Sequence, residues 1–130
     1  MKRVIYSLTL SIGLSISFTA FAEIGENTYN QVCSSCHTSG VLNAPKLGDK
    51  AKWSRLIAEG QVTLTAHGYV GVRGMPAKGG NPNLSIEQFS DAVVYMANKS
   101  GGNWKSPNAN TIAAINKEIE ARKAKLNKKS

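Results

Sequence analysis

The chain has 130 residues, 42% of them hydrophobic and 18% charged, with 16 basic against 8 acidic side chains and a formal net charge of +8. That length holds one small domain, and the composition excludes an intrinsically disordered chain. With only two cysteines, a disulfide-built scaffold is excluded as well.

At the N-terminus Lys2 and Arg3 precede an uncharged, mostly apolar run over residues 4–22, which closes on Ala20-Phe21-Ala22 before the first acid, Glu23. This is the layout of a signal peptide, residues 1–22, with a small-residue cleavage site after Ala22. A retained anchor is the alternative, since the run is nearly long enough to span a bilayer, but its serines dilute the apolar density. Cleavage would deliver residues 23–130 to the periplasm, a disulfide-permissive compartment where nucleic acid is a poor candidate partner despite the basic charge. That charge is uneven: residues 23–99 hold seven basic and six acidic side chains, residues 100–130 seven and two.

A first helix is expected to finish over residues 30–33, with Ile24, Tyr29 and Val32 as apolar contacts. After a loop over residues 37–49, Asp49 can cap a helix over 50–59 that puts Trp53, Leu56 and Ile57 on one face, with Gly60 placed to end it. A short helix follows over 62–69. The stretch "GVRGMPAKGGNPN", residues 71–83, is too rich in glycine and proline for regular structure. Ser85 with Gln88 makes a capping box for a helix over 86–98, its apolar face carrying Ile86, Phe89, Val93, Val94 and Ala97. Asn110 or Thr111 can cap a last helix to about Leu126, with Ile112, Ile115, Ile119 and Leu126 on a stripe narrow enough to predict a solvated helix with a frayed, disordered end. No alternating run of strand length follows residue 22, so the fold class is all-α. Two irregular stretches of about a dozen residues in so small a domain imply packing against something other than protein. Only six aromatic residues lie after residue 22, so the chain's own core is thin, and a large apolar cofactor would fill it.

The chemistry concentrates in "VCSSCHTSG", residues 32–40, where Cys33 and Cys36 stand three apart and His37 follows directly. A zinc site needs four ligands, and beyond these residues the chain offers only His67 with no second cysteine pair. A redox dithiol belongs at a helix N-terminus after a strand, and no strand precedes Val32. That reading also leaves His37 and the two long loops without a role, while a structural Cys33–Cys36 disulfide stands as the plain alternative. Cys-x-x-Cys-His is also the attachment pattern of c-type haem: both thiols add to the vinyl groups of one porphyrin edge, and the adjacent imidazole bonds the iron. The second axial position then has three candidates, Met75, Met96 and His67. Met96 aligns with Val93 on a helix and reads as a core residue. His67 reads as a partly exposed polar residue at the end of a short helix. Met75 stands in the glycine-rich loop just before Pro76, which fixes the backbone there, and is the preferred candidate.

"CSSCH", "APKLGD" at 44–49, Trp53, "EG" at 59–60 and "MPAKGG" at 75–80 followed by "AVVYM" at 92–96 together resemble a class I c-type cytochrome of the cytochrome c-five group, over residues 26–99. The resemblance implies a small cytochrome c fold, helices wrapped around one covalently bound haem c, over residues 23–102, with 103–130 as a basic C-terminal extension. It implies thioether bonds at Cys33 and Cys36, axial ligands His37 and Met75, and a hydrogen bond from His37 Nδ1 to the backbone carbonyl of Pro45, which would fix ring orientation and tautomer. Two places depart from the family. Arg55 lies two residues after Trp53 rather than three, and Asn81-Pro82-Asn83 stands where many relatives carry a further cysteine pair.

A six-coordinate haem has no open position for oxygen or a small-molecule substrate, so the expected function is one-electron carriage between respiratory redox proteins, with a membrane-bound oxidase or reductase as partner, and not enzymatic turnover. The alternatives are an electron-accepting subunit of a larger enzyme and a five-coordinate sensor or peroxidase-like protein. Lys117, Arg122, Lys123, Lys125, Lys128 and Lys129 would steer such a carrier toward acidic partner or membrane surfaces.

Overall fold

The computed structural model describes residues 19–129, so the segment read as a signal peptide lies outside the described residues apart from its last four. Those four begin α1 (Thr19–Thr28), which is followed in chain order by α2 (Ser34–His37), α3 (Lys50–Ala58), α4 (Gln61–Val70), α5 (Ile86–Lys99) and α6 (Ala109–Asn127). Among the described residues there is no strand, only an isolated bridge between Val72 and Met75, and the all-α expectation holds.

The first helix runs further than the sequence reading placed it. A π-helical turn, Tyr29–Cys33, joins α1 to α2 without leaving helical backbone, and the Ser34 N–H reaches back to the Tyr29 carbonyl. Such a widened turn rotates every later side chain relative to a regular helix, here the two cysteines and the histidine. Helix starts follow the expected chemistry. The Asp49 carboxylate accepts the Lys52 N–H at 3.1 Å, and Ser85 and Gln88 form the reciprocal capping box, both bonds at 3.1 Å.

α1 crosses α5 at Gly25, where a Cβ would run into the Asp91 carbonyl, so the crossing depends on a residue without a side chain. Below it Tyr29, Cys33, Trp53, Ala92, Met96 and Ala97 form one apolar cluster. Leu84, Phe89 and Val93 form a second, and Trp104 leans on both from the segment that leaves α5. Asn98 holds that segment with paired bonds of 2.7 Å to the backbone N–H and carbonyl of Trp104.

The C-terminal helix differs most from expectation. Asn108, not Asn110 or Thr111, caps it by accepting the Thr111 N–H at 3.0 Å. It is not a solvated rod: Ile115 and Ile119 are buried against Ala66 of α4, with Val62, Tyr69, Val70, Ile86 and Ile112 around them. The stripe is narrow, yet it suffices because Ala66 has almost no side chain and lets the two helices approach closely. Leu126, at the far end of the stripe, remains exposed.

Candidate functional site

The π turn and α2 deliver Cys33, Cys36 and His37 to the wall of a cavity of about 350 Å³. Met75 also lines this cavity, together with apolar residues that include Leu64, Phe89 and Val93. The five candidate residues Cys33, Cys36, His37, Pro45 and Met75 thus all line one space.

His37 is held from two directions. Its Nδ1 lies 2.8 Å from the Pro45 carbonyl oxygen, and its own backbone carbonyl accepts the Leu47 N–H at 2.7 Å. A carbonyl oxygen can only accept, so Nδ1 carries the proton and the lone pair of the neutral ring sits on Nε2. The loop that makes these contacts is anchored in turn: Trp53 Nε1 donates to the Lys46 carbonyl at 2.9 Å, and the Gly48 N–H donates to Ser100 Oγ at 2.9 Å.

No disulfide joins the two cysteines; Cys33 is buried and Cys36 partly so. Burial, reinforced by Cys36, pushes the Cys33 thiol up to about 11. A dithiol working by thiolate attack needs the opposite shift, so a thioredoxin-like role has no electrostatic support here.

Met75 closes a tight hairpin rather than an irregular loop. The N–H of Val72 donates to the Met75 carbonyl at 3.0 Å and the Met75 N–H returns to Val72 at 2.9 Å, around Arg73 and Gly74. The Met75 methyl lies beside α4 at Gly68, where a Cβ would sit 3.5 Å from it and 3.0 Å from the Phe89 ring. Past Pro76 the chain is fixed by Lys78, whose ammonium donates to the carbonyls of Pro82 and Leu84 at 3.0 and 3.1 Å and stands 4.7 Å from the centre of the Tyr69 ring.

Of the other ligand candidates, Met96 also borders the cavity but is 3% exposed within the first apolar cluster. His67 faces a second space, with Nδ1 3.2 Å from Glu59 Oε2. Leu56 borders the cavity, whereas Arg55 is exposed and does not line it. Two residues escaped the sequence reading. Lys78 lay within the quoted motif but had no role assigned, and Arg122, read as a steering charge, instead donates to the Gly71 carbonyl at 3.1 Å. No local pattern marks these contacts, since all three acceptors are backbone carbonyls.

A small all-α domain that turns two thiols, an imidazole with its lone pair on Nε2 and a thioether toward one apolar cavity has a donor set that fits covalently attached haem. Comparisons agree. The family model described as "Cytochrome C oxidase, cbb3-type, subunit III" matches residues 20–96. Cytochrome c-555 of Chlorobaculum tepidum is 42% identical over 107 residues, spanning 77% of this chain and 99% of the relative. Cytochrome c5 of Azotobacter vinelandii is 36% identical over 78 residues, 58% of this chain and 94% of the relative. A solved structure described as an electron transfer complex of nitrite reductase with cytochrome c matches at 40% identity and a TM-score of 0.57, covering 59% of this chain and 94% of that one. The chain belongs to the class I c-type cytochromes, electron-transfer proteins that carry covalently bound haem c.

Proposed function

We propose that Cys33 and Cys36 carry the two thioether bonds of one haem c, that His37 Nε2 and the Met75 sulfur take its two axial positions, and that the protein is a periplasmic one-electron carrier of a respiratory chain. The observation that carries this reading is the His37–Pro45 hydrogen bond of 2.8 Å, which leaves an unprotonated Nε2 on the cavity shared with both thiols and Met75. Bound haem c supplies a one-electron iron(III)/iron(II) couple whose potential a thioether ligand raises. The chain's part is to hold both axial donors, to leave no coordination position for substrate, and to keep water off the haem with Leu64, Phe89 and Val93.

Export is supported by the signal-peptide layout of residues 1–22, which leaves residues 23–102 as the haem domain and 103–130 as its extension. Among the described residues no helix is long and apolar enough to cross a membrane. A redox-enzyme partner is supported by the similar cytochrome c that was solved in complex with nitrite reductase, and a membrane-bound oxidase or reductase fits the same role. Exposed Lys117, Lys123, Lys125, Lys128 and Lys129 on and just after α6 would steer the carrier to an acidic surface. A second reading, an electron-accepting subunit of a larger oxidase, draws on the description of the matching family. The carrier reading is preferred because the chain covers 99% of a cytochrome c-555.

Carbon monoxide tests the ligand assignment. Reduced wild-type protein should ignore the gas at neutral pH, and Met75→Ala should keep its covalent haem and bind the gas at once. Equal behaviour of the two proteins would remove Met75 from the ligand set.

A further inference from the structure

The C-terminal helix lies outside the residues matched by the family model, 20–96, and yet one of its side chains reaches the segment that carries Met75. We propose that Arg122 is a positioning residue for Met75: it ties Gly71, where the Met75 hairpin leaves α4, to the packed α6 helix and so holds the thioether on the iron. The proposal rests on the reading of Met75 as an axial ligand.

The tie is a charge-assisted, part-buried hydrogen bond across 51 residues of sequence, from Arg122 Nη2 to the Gly71 carbonyl at 3.1 Å. Gly71 is a stiff point of attachment. Its φ of +101° belongs to glycine, its N–H donates to the His67 carbonyl at 3.0 Å, and a Cβ on it would lie 3.3 Å from the Met75 carbonyl oxygen and 3.1 Å from the Ala77 nitrogen. The Met75 carbonyl is already held by the Val72 N–H at 3.0 Å. Gly71 therefore backs the hairpin on which Met75 sits, and a movement of Gly71 is passed to Met75.

The other end of the tie is equally fixed. Arg122 follows Ile119 by three residues, on the same side of α6 and one turn beyond the seam with α4. Its Nε is fully buried without a hydrogen-bond partner. A steering charge would keep its head in water, as Lys123 does beside Glu120 on the exposed face. Burying part of a guanidinium is costly, and the Gly71 carbonyl is the acceptor that offsets it. The same side chain also borders the second space with His67, Val72 and Arg73, so it spans from α4 to the hairpin itself. Released from Arg122, the near end of the hairpin would be held by the last turn of α4 alone, while its far end stays fixed past Pro76 through Lys78.

The test is competition at the iron in the full-length holoprotein. Imidazole displaces a thioether from iron(III), and the loss of the weak long-wavelength charge-transfer band of the methionine–iron bond reports it. Arg122→Met keeps the apolar stem and removes the donors. It should bind imidazole about tenfold more tightly than wild type and take up carbon monoxide faster when reduced, with unchanged helix content. Arg122→Lys retains a cationic donor and should fall between them, and it carries the test should Arg122→Met fail to fold. Lys123→Ala should match wild type. Wild-type imidazole affinity in folded Arg122→Met, or in Arg122→Lys if only that variant folds, would overturn the proposal while leaving Met75 a ligand. A wild-type protein that lacks the band and binds carbon monoxide at once would overturn the Met75 reading, and the proposal with it.

Discussion

At the scale of single residues, the imidazole facing the cavity is fixed by a neighbour that has nothing to do with iron. Pro45 decides which imidazole nitrogen keeps its lone pair, and since its backbone carbonyl makes the contact, the side chain at 45 serves only to shape the turn. Asp91 shows the opposite economy. It is buried on α5 and accepts a hydrogen bond from the Ser106 hydroxyl, and burial, aided by the nearby Glu87 charge and against the Ser106 bond, raises its carboxyl above the usual range. A raised carboxyl binds its proton more tightly in the native state, so its contribution to stability is full below the unfolded value of about 3.9 and is lost as pH rises through the native one. Asp91→Asn should therefore be at least as stable as wild type at pH 7, with wild type gaining on it as pH falls toward about 4, as paired denaturation curves would record. A wild type that instead gains on Asp91→Asn as pH rises would mean that the Ser106 bond outweighs burial.

At the scale of elements, α6 separates two accounts of the extension. As a solvated helix it would tolerate truncation at Ile115, whereas the packed helix should lose about 2–4 kcal/mol on Ile115→Ala, read from denaturant unfolding of the holoprotein. The helices and their caps were largely legible because the signals are local: Asp49 and the Ser85–Gln88 box speak to backbone groups within three residues. The site motif was legible for the same reason, with Cys33, Cys36 and His37 inside five residues. What was not legible depends on the far partner. Ile112, Ile115 and Ile119 form too narrow a stripe to announce burial, and only Ala66 on α4 makes it enough. The π turn is likewise invisible, because no residue type marks it and the four residues of α2 that follow are too few to reveal the shifted apolar phase. The hairpin at Val72 and Met75 hid within a glycine-rich run that pattern reading treats as structureless.

At the scale of the molecule, apolar clusters border a cavity in a chain with few aromatics, an arrangement that makes the haem part of the core rather than an addition to it. The basic excess gathers toward the C-terminus, with exposed Lys117, Lys123 and Lys125 on α6 and Lys128 and Lys129 just after it. If those lysines steer encounter, replacing Lys117, Lys123, Lys125 and Lys128 by Gln should lower the second-order rate of electron transfer to an acidic partner at low salt. The two proteins should converge near 0.5 M salt, where the screening length is only about 4 Å. Equal rates at every ionic strength would show the charge to be unrelated to partner choice.

The central claim, an electron carrier with both axial positions filled by His37 and Met75, is tested most directly by a spectroelectrochemical titration of the holoprotein across its full redox range. A single reversible one-electron step with low-spin spectra at both ends, unchanged under carbon monoxide, is the result this account predicts. A high-spin form at either end, or a potential that shifts when the gas is admitted, would contradict it by showing an open coordination position.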